Sequence, residues 1–254
     1  MEMSKKLEED KKKAKEEKEK QYEVNAETVS YIWGNATPAD SNHDYLLKKK
    51  IQSHGAKVTG DGRLIIPLYT EEGSLASLQY ISSDGKKQFH SGGKTGGCFH
   101  YIGPKDTDMV YIVEGYADAC TVVEETGQGC FIAFSGSNMV KIAPIIKELS
   151  QNKKIAIISD NDNHGKGQEY AKAASDAINC QLIVPPVEGD INDYRLSGAD
   201  VKELLEPRAK EPWLVPVSEF CSKPAPIKWL VKNCLEDRDW ETIIINITFN
   251  WRHY

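Results

Sequence analysis

No two cysteines in this 254-residue chain stand at CxxC spacing, and positive charge is not in surplus. Nor does any apolar stretch approach the roughly 20 residues of a membrane span. Each lack removes a class of protein. Cys98, Cys120, Cys130, Cys180, Cys221 and Cys234 sit mostly in apolar surroundings, so they read as reduced thiols of a cytosolic protein, and a zinc ribbon is excluded. With neither a span nor a secretory signal peptide, the sequence predicts a cytoplasmic location and no membrane partner. A formal charge of -6 argues against a basic coat; a groove for nucleic acid, if there is one, is local and must be found residue by residue. "SGGKT" at 91–95 is no Walker A loop, because the required first glycine falls on Gln88. His90, Cys98 and His100 lack paired zinc-ligand spacing, and Ser135 and Ser137 have no histidine in an evident partner role. What is present is 40% hydrophobic residues, enough for a substantial core.

The chain divides into four pieces. Residues 1–22 are almost all Lys and Glu, with Glu8/Lys12, Glu9/Lys13 and Glu16/Lys20 in the favourable i,i+4 order, which predicts a charged, solvated helix. Residues 23–105 carry a helix near 40–54 and then alternate apolar and polar residues between Gly-containing turns, as an antiparallel meander does. Residues 106–206 repeat strand-then-helix, with apolar runs from Met109, Cys130, Ile155 and Cys180, so the expected class is α/β: a parallel-sheet domain behind a smaller α+β, strand-rich subdomain. Five prolines between 207 and 226 mark 207–254 as beginning in a linker.

Chemistry concentrates at strand ends of the third piece. "IAIISDNDNHGKG" runs from a buried strand into Asp160 and Asp162 and out through glycines into a helix; "YIVEGYADA" places Glu114 at a strand end and Asp118 in the next helical turn. In open α/β sheets ligands bind at the carboxyl ends of the strands. Singly, Glu114 could be a residue favoured by a helix dipole, and the DxD an Asx-rich turn. Together, four converging carboxylates repel unless a cation or proton sits among them, which points to a divalent metal. "PPVEGDINDY" adds Asp190 and Asp193, which would equally suit a polar loop capping a helix from about Asp200.

"VEGYADA" followed by "SDNDNHGKG" resembles the Toprim domain shared by bacterial-type primases, topoisomerases and some nucleases. The resemblance implies Glu114 as general acid or base, Asp160 and Asp162 as metal ligands with Glu114 beside them, and Asp118 as a match to the primase form of the first motif. It implies magnesium, with manganese as its substitute, and no zinc. "EGDINDY" is similar to the later acidic segment of phage and plasmid members. The preceding "RLIIPLYTEEGSLASLQYISSDGKKQFHSGG" resembles the strand-rich subdomain of replicative primases, in which basic residues face template and nucleotides. Lys87 and Arg63 fall on such positions, and Lys86 and Lys94 are further candidates for nucleic-acid contact. The match departs at Gln79 and Tyr80, where that family carries an arginine.

The expected function is therefore a primase core of a phage or mobile-element replication protein, which makes short RNA primers on single-stranded DNA from ribonucleoside triphosphates. A Toprim nuclease and a catalytically inert single-strand-binding module are the alternatives. "KPAPIKWLVKNCLEDRDW" resembles the lead-in to a hexameric replicative helicase, the implied partner. Since no GxxxxGK[ST] loop follows, a truncated or interrupted primase-helicase is expected, with residues from about 237 outside the domain plan.

Overall fold

The structure, a computed structural model, describes residues 2–163 and 165–205. The expectations placed on 207–254 lie outside the described residues. Met1–Glu206 form one compact unit.

The charged N-terminal helix does not stop near residue 22. α1 (Glu2–Asn35) runs on for more than three further turns, and its last part is anchored. Val29 is fully buried and joins Ile65, Leu78 and Tyr80 in one cluster, with Ile32 and Trp33 against it. Lys57 reaches the Trp33 carbonyl at 2.8 Å and lies over the Trp33 ring.

The helix expected near 40–54 is the short α2 (Asp44–Lys49). The first sheet is the meander β1 (Thr37–Pro38), β2 (Lys57–Val58), β3 (Leu64–Tyr69), β4 (Leu75–Ile81), β5 (Lys87–Phe89), antiparallel throughout. The strand period of two divides its side chains. Ile65, Leu78 and Tyr80 meet α1, whereas Leu64, Ile66, Leu68 and Ile81 enter the main core.

The second sheet follows the order β10-β9-β7-β8-β6. β7 (Met109–Val113), β8 (Gly129–Ile132), β9 (Lys154–Ile158) and β10 (Gln181–Ile183) are parallel, and β6 (His100–Ile102) closes the edge antiparallel to β8. α3 (Tyr116–Thr126), α6 (Ile191–Leu196) and α7 (Val201–Leu205) pack on the face that shares its core with α2 and the meander. α4 (Gly136–Leu149) and α5 (Lys166–Ile178) cover the other face. The class is the α/β arrangement the apolar runs predict. α6 is additional: Asp190 caps it by accepting from the Asp193 N–H at 2.7 Å, where a loop was the competing reading.

Candidate active site

Because β7 and β9 are parallel neighbours, the residues just past their carboxyl ends, Glu114 and Asp160, share one crevice. Two loops bring in the rest. Asn161 exchanges both backbone hydrogen bonds with Gly189, at 2.9 and 3.0 Å, and its side chain donates to the carbonyls of Pro185 and Val187. The loop after β9 is thereby tied to the loop after β10, which sets Asp190 beside Asp160. Asp118 stands in the first turn of α3 and is only 4% exposed.

Glycines make the approach feasible. A Cβ on Gly115 would stand 2.2 Å from Asp118 Oδ2 and 3.6 Å from Lys87 Nζ, so the Asp118 carboxylate and the Lys87 ammonium both lie over that residue. Asp162, exposed at the start of α5, accepts from the Gly165 N–H at 2.6 Å. Gly165 itself is left-handed, φ 69°, a conformation that carries no penalty without a Cβ.

The carboxylates raise one another's affinity for protons. Burial pushes Asp160 up to about 6, with Glu114 and Asp190 adding repulsion and Lys87 opposing it. Burial likewise lifts Glu114 above the usual carboxylate range, Lys87 opposing and Asp162 adding; the Gly136 N–H donates to its carboxylate. Asp118 is raised furthest by burial, then by Asp190 and Asp160, and its Oδ1 is buried without a hydrogen-bond partner. Among the described residues no three acidic, histidine or cysteine side chains are arranged to close around one ion. The donor set nonetheless fits magnesium, which keeps several waters and takes only one or two protein carboxylates. The unsatisfied Asp118 Oδ1 and the repelling Asp160 are the atoms a cation would relieve.

Of the basic candidates, only Lys87 reaches this crevice. Arg63 lies on the α1 side of the meander, its guanidinium 4.5 Å over the Tyr80 ring and 2.6 Å from Asp61. Lys86 is exposed in the β4–β5 turn, and Lys94 stands near Glu72 and Cys98. His90 bonds the Tyr80 hydroxyl, and His100 packs on Tyr69.

Sequence reasoning missed Lys49. From the end of α2 it contacts Asp193 at 3.1 Å and Asp190 at 3.5 Å. Burial lowers its proton affinity, but Asp190, Asp193 and Asp118 outweigh that and raise it overall. It is held there from the far side: Asn192, fully buried, and Arg195 both donate to the Lys49 carbonyl. Its place in "KKK" reads as the solvated end of a helix, and no local signal distinguishes it.

Residues 109–200 match the Toprim domain family. A curated relative, DNA primase TraC of Escherichia coli, is 31% identical over 191 residues, which is 70% of this chain and 13% of the relative. The chain thus spans a small part of that protein's length. The primase fragment of the bacteriophage T7 primase-helicase superposes with a TM-score of 0.51 at 16% identity, over 67% of this chain and 79% of that one. A DnaG primase catalytic domain bound to ssDNA gives the same TM-score at 13% identity, over 72% and 78%. The two structural matches are likenesses of fold.

Proposed function

We propose that the chain, whose residues 109–200 match the Toprim domain family and follow an antiparallel meander, is a primase core. It joins ribonucleotides into short primers on single-stranded DNA. The observation that carries the reading is Lys87: the meander strand β5 projects its ammonium over Gly115, into the acidic crevice of the Toprim layer. A nuclease needs the acids alone, whereas polymerisation must also hold the polyanionic tail of a nucleoside triphosphate against them.

Asp160 and Asp162, with Asp118 and Glu114 beside them, would hold magnesium. When bound, it neutralises charge on the attacking and leaving oxygens of phosphoryl transfer. Glu114 has the environment of a general base: raised above its ordinary value by burial and fixed by the Gly136 N–H, it would take the proton of the primer 3′-hydroxyl. Lys87 would orient the triphosphate. Lys49 would restrain Asp190 and Asp193 so that they do not fold onto Asp160. Lys86, Lys94 and Arg63 would contribute phosphate contacts outside the crevice. The name of the TraC relative supports primase chemistry, and the T7 match, to part of a primase-helicase, supports a helicase as a further partner.

Incubating the protein with single-stranded DNA, labelled ribonucleotides and magnesium, then sizing the products on a gel, tests this directly. New short oligomers that vanish with Asp160→Asn are expected. Shortening of the DNA without nucleotides would replace the primase with a nuclease, and neither product would leave a binding module.

A further inference from the structure

Beside the carboxylates, but lined by none of them, an open cleft with a cavity volume of about 80 Å³ lies where the meander meets the parallel sheet. Phe89 of β5 and Phe134 beyond β8 form its apolar wall, edge to face with ring centroids 6.2 Å apart. Thr95, Ser135, Ser137 and Lys141 supply its polar rim. Phe89 keeps 40% of its surface exposed, an unfilled apolar face in a concave place. Lys141 is exposed and makes no ion pair among the described residues.

The cleft is a built feature. Buried Asn138 accepts from the Gly97 N–H at 2.7 Å and donates to the carbonyls of Cys98 and Ala133, both at 2.8 Å. It thereby locks the 95–98 loop of one layer to the start of α4 in the other. The cleft is also continuous with the crevice, since the Phe134 N–H donates to the Glu114 carbonyl at 2.9 Å and the next residue, Ser135, lines the cleft.

We propose that this cleft seats one nucleotide of a single-stranded nucleic acid, its base on the Phe89 ring and its phosphate between Lys141 and the hydroxyls of Ser135 and Ser137. Aromatic stacking accepts any base, because every base has a π-face, and one lysine with two hydroxyls matches the single charge of a phosphodiester. A free nucleoside triphosphate shares this chemistry, but it would bring several charges to one cation. The inference rests on the primase reading and adds to it a fixed point for the strand next to the acids.

Fluorescence anisotropy of the full chain with labelled oligothymidylate in EDTA is the test, since it needs no metal and no turnover. Phe89→Leu, which keeps an apolar side chain and removes the ring, should weaken binding roughly tenfold at every salt concentration. Phe89→Tyr should restore it. Lys141→Gln should weaken binding and lower the salt slope by about one. If Phe89→Leu and Lys141→Gln bind like the native chain, the subsite is wrong. If only competition by ATP changes, a free nucleotide replaces the strand. Loss of the Phe89 effect with primer synthesis intact would sink the subsite alone, and the reverse pattern would sink the catalytic reading alone.

Discussion

Asp160 carries a testable electrostatic cost. Its folded pKa, about 6, lies above the ordinary aspartate value of 3.8, so the native state binds a proton more tightly than the unfolded chain does. The stability from that proton is fully present below pH 4 and lost as pH rises through 6, on the order of 3 kcal/mol. Without divalent cations, Asp160→Asn should therefore raise the melting temperature at pH 7 by several degrees and leave it unchanged near pH 4. Magnesium should stabilise the native chain more than the variant. A variant that melts lower at pH 7 would show that Asp160 is satisfied by a partner and is not waiting for a cation. Glu114→Gln separates roles in another way: as a general base it should lose about 10²-fold in primer synthesis while magnesium still stabilises the fold. Loss of that stabilisation would make Glu114 a ligand. These acids were legible in the sequence because a buried strand that ends in carboxylates has few structural uses. Lys49 was not, since its position is fixed by the carbonyl contacts of Asn192 and Arg195 across more than 140 residues.

At the scale of elements, apolar runs located the parallel strands well, for a strand buried on both faces needs an unbroken apolar run. α1 shows why its end was harder to place. Its first part is a helix of charge pairs, but "VNAETVSYIW" is rich in β-branched and aromatic residues that favour strand as readily as helix. What decides the matter is tertiary: Val29 meets Leu78, and Asn25 donates to the Gly92 carbonyl at 2.8 Å. The helix therefore has two halves with different work. Removing residues 1–20 should leave the thermal midpoint within about a degree, as surface changes typically do. Leu78→Ala, which opens a cavity between β4 and α1, should cost about 2–5 kcal/mol. Thermal melts for the truncation and urea titrations for Leu78→Ala, both followed by circular dichroism, would check the two, and a large loss on the truncation would show that the charged half supports the core.

Within Met1–Glu206 the meander and the parallel-sheet layer form one compact unit, and the acidic crevice of that layer receives Lys87 from the meander at their seam. The primary core is continuous across it: Leu64, Ile66 and Ile81 of the meander pack in the same cluster as Val113, Tyr116 and Cys120. Polar clamps fix the register that packing alone would leave loose. Glu124 accepts from Arg195 at 2.8 Å, from His54 at 2.9 Å and from the Gln52 N–H at 2.7 Å, while Arg195 also caps α2 through the carbonyls of Lys49 and Lys50. Three elements thus meet at one carboxylate, and the charge that would otherwise be stranded in a half-buried place is shared among them. Breaking such a pair from one side leaves the other charge uncompensated and costs about 3–5 kcal/mol when fully buried; here, with both partners partly exposed, about half of that is expected. Arg195→Met should lower stability accordingly and also release Lys49 from Asp190, so primer synthesis should fall at temperatures where the fold is intact. Hydrogen exchange read by mass spectrometry gives the decisive measurement. In the native chain, peptides from β4 and β7 should exchange with the same global opening. In Arg195→Met the 44–54 segment should open first while β7 stays protected; independent opening of the two sheets in the native chain would mean that the seam, and the site built on it, is not a rigid feature of the fold.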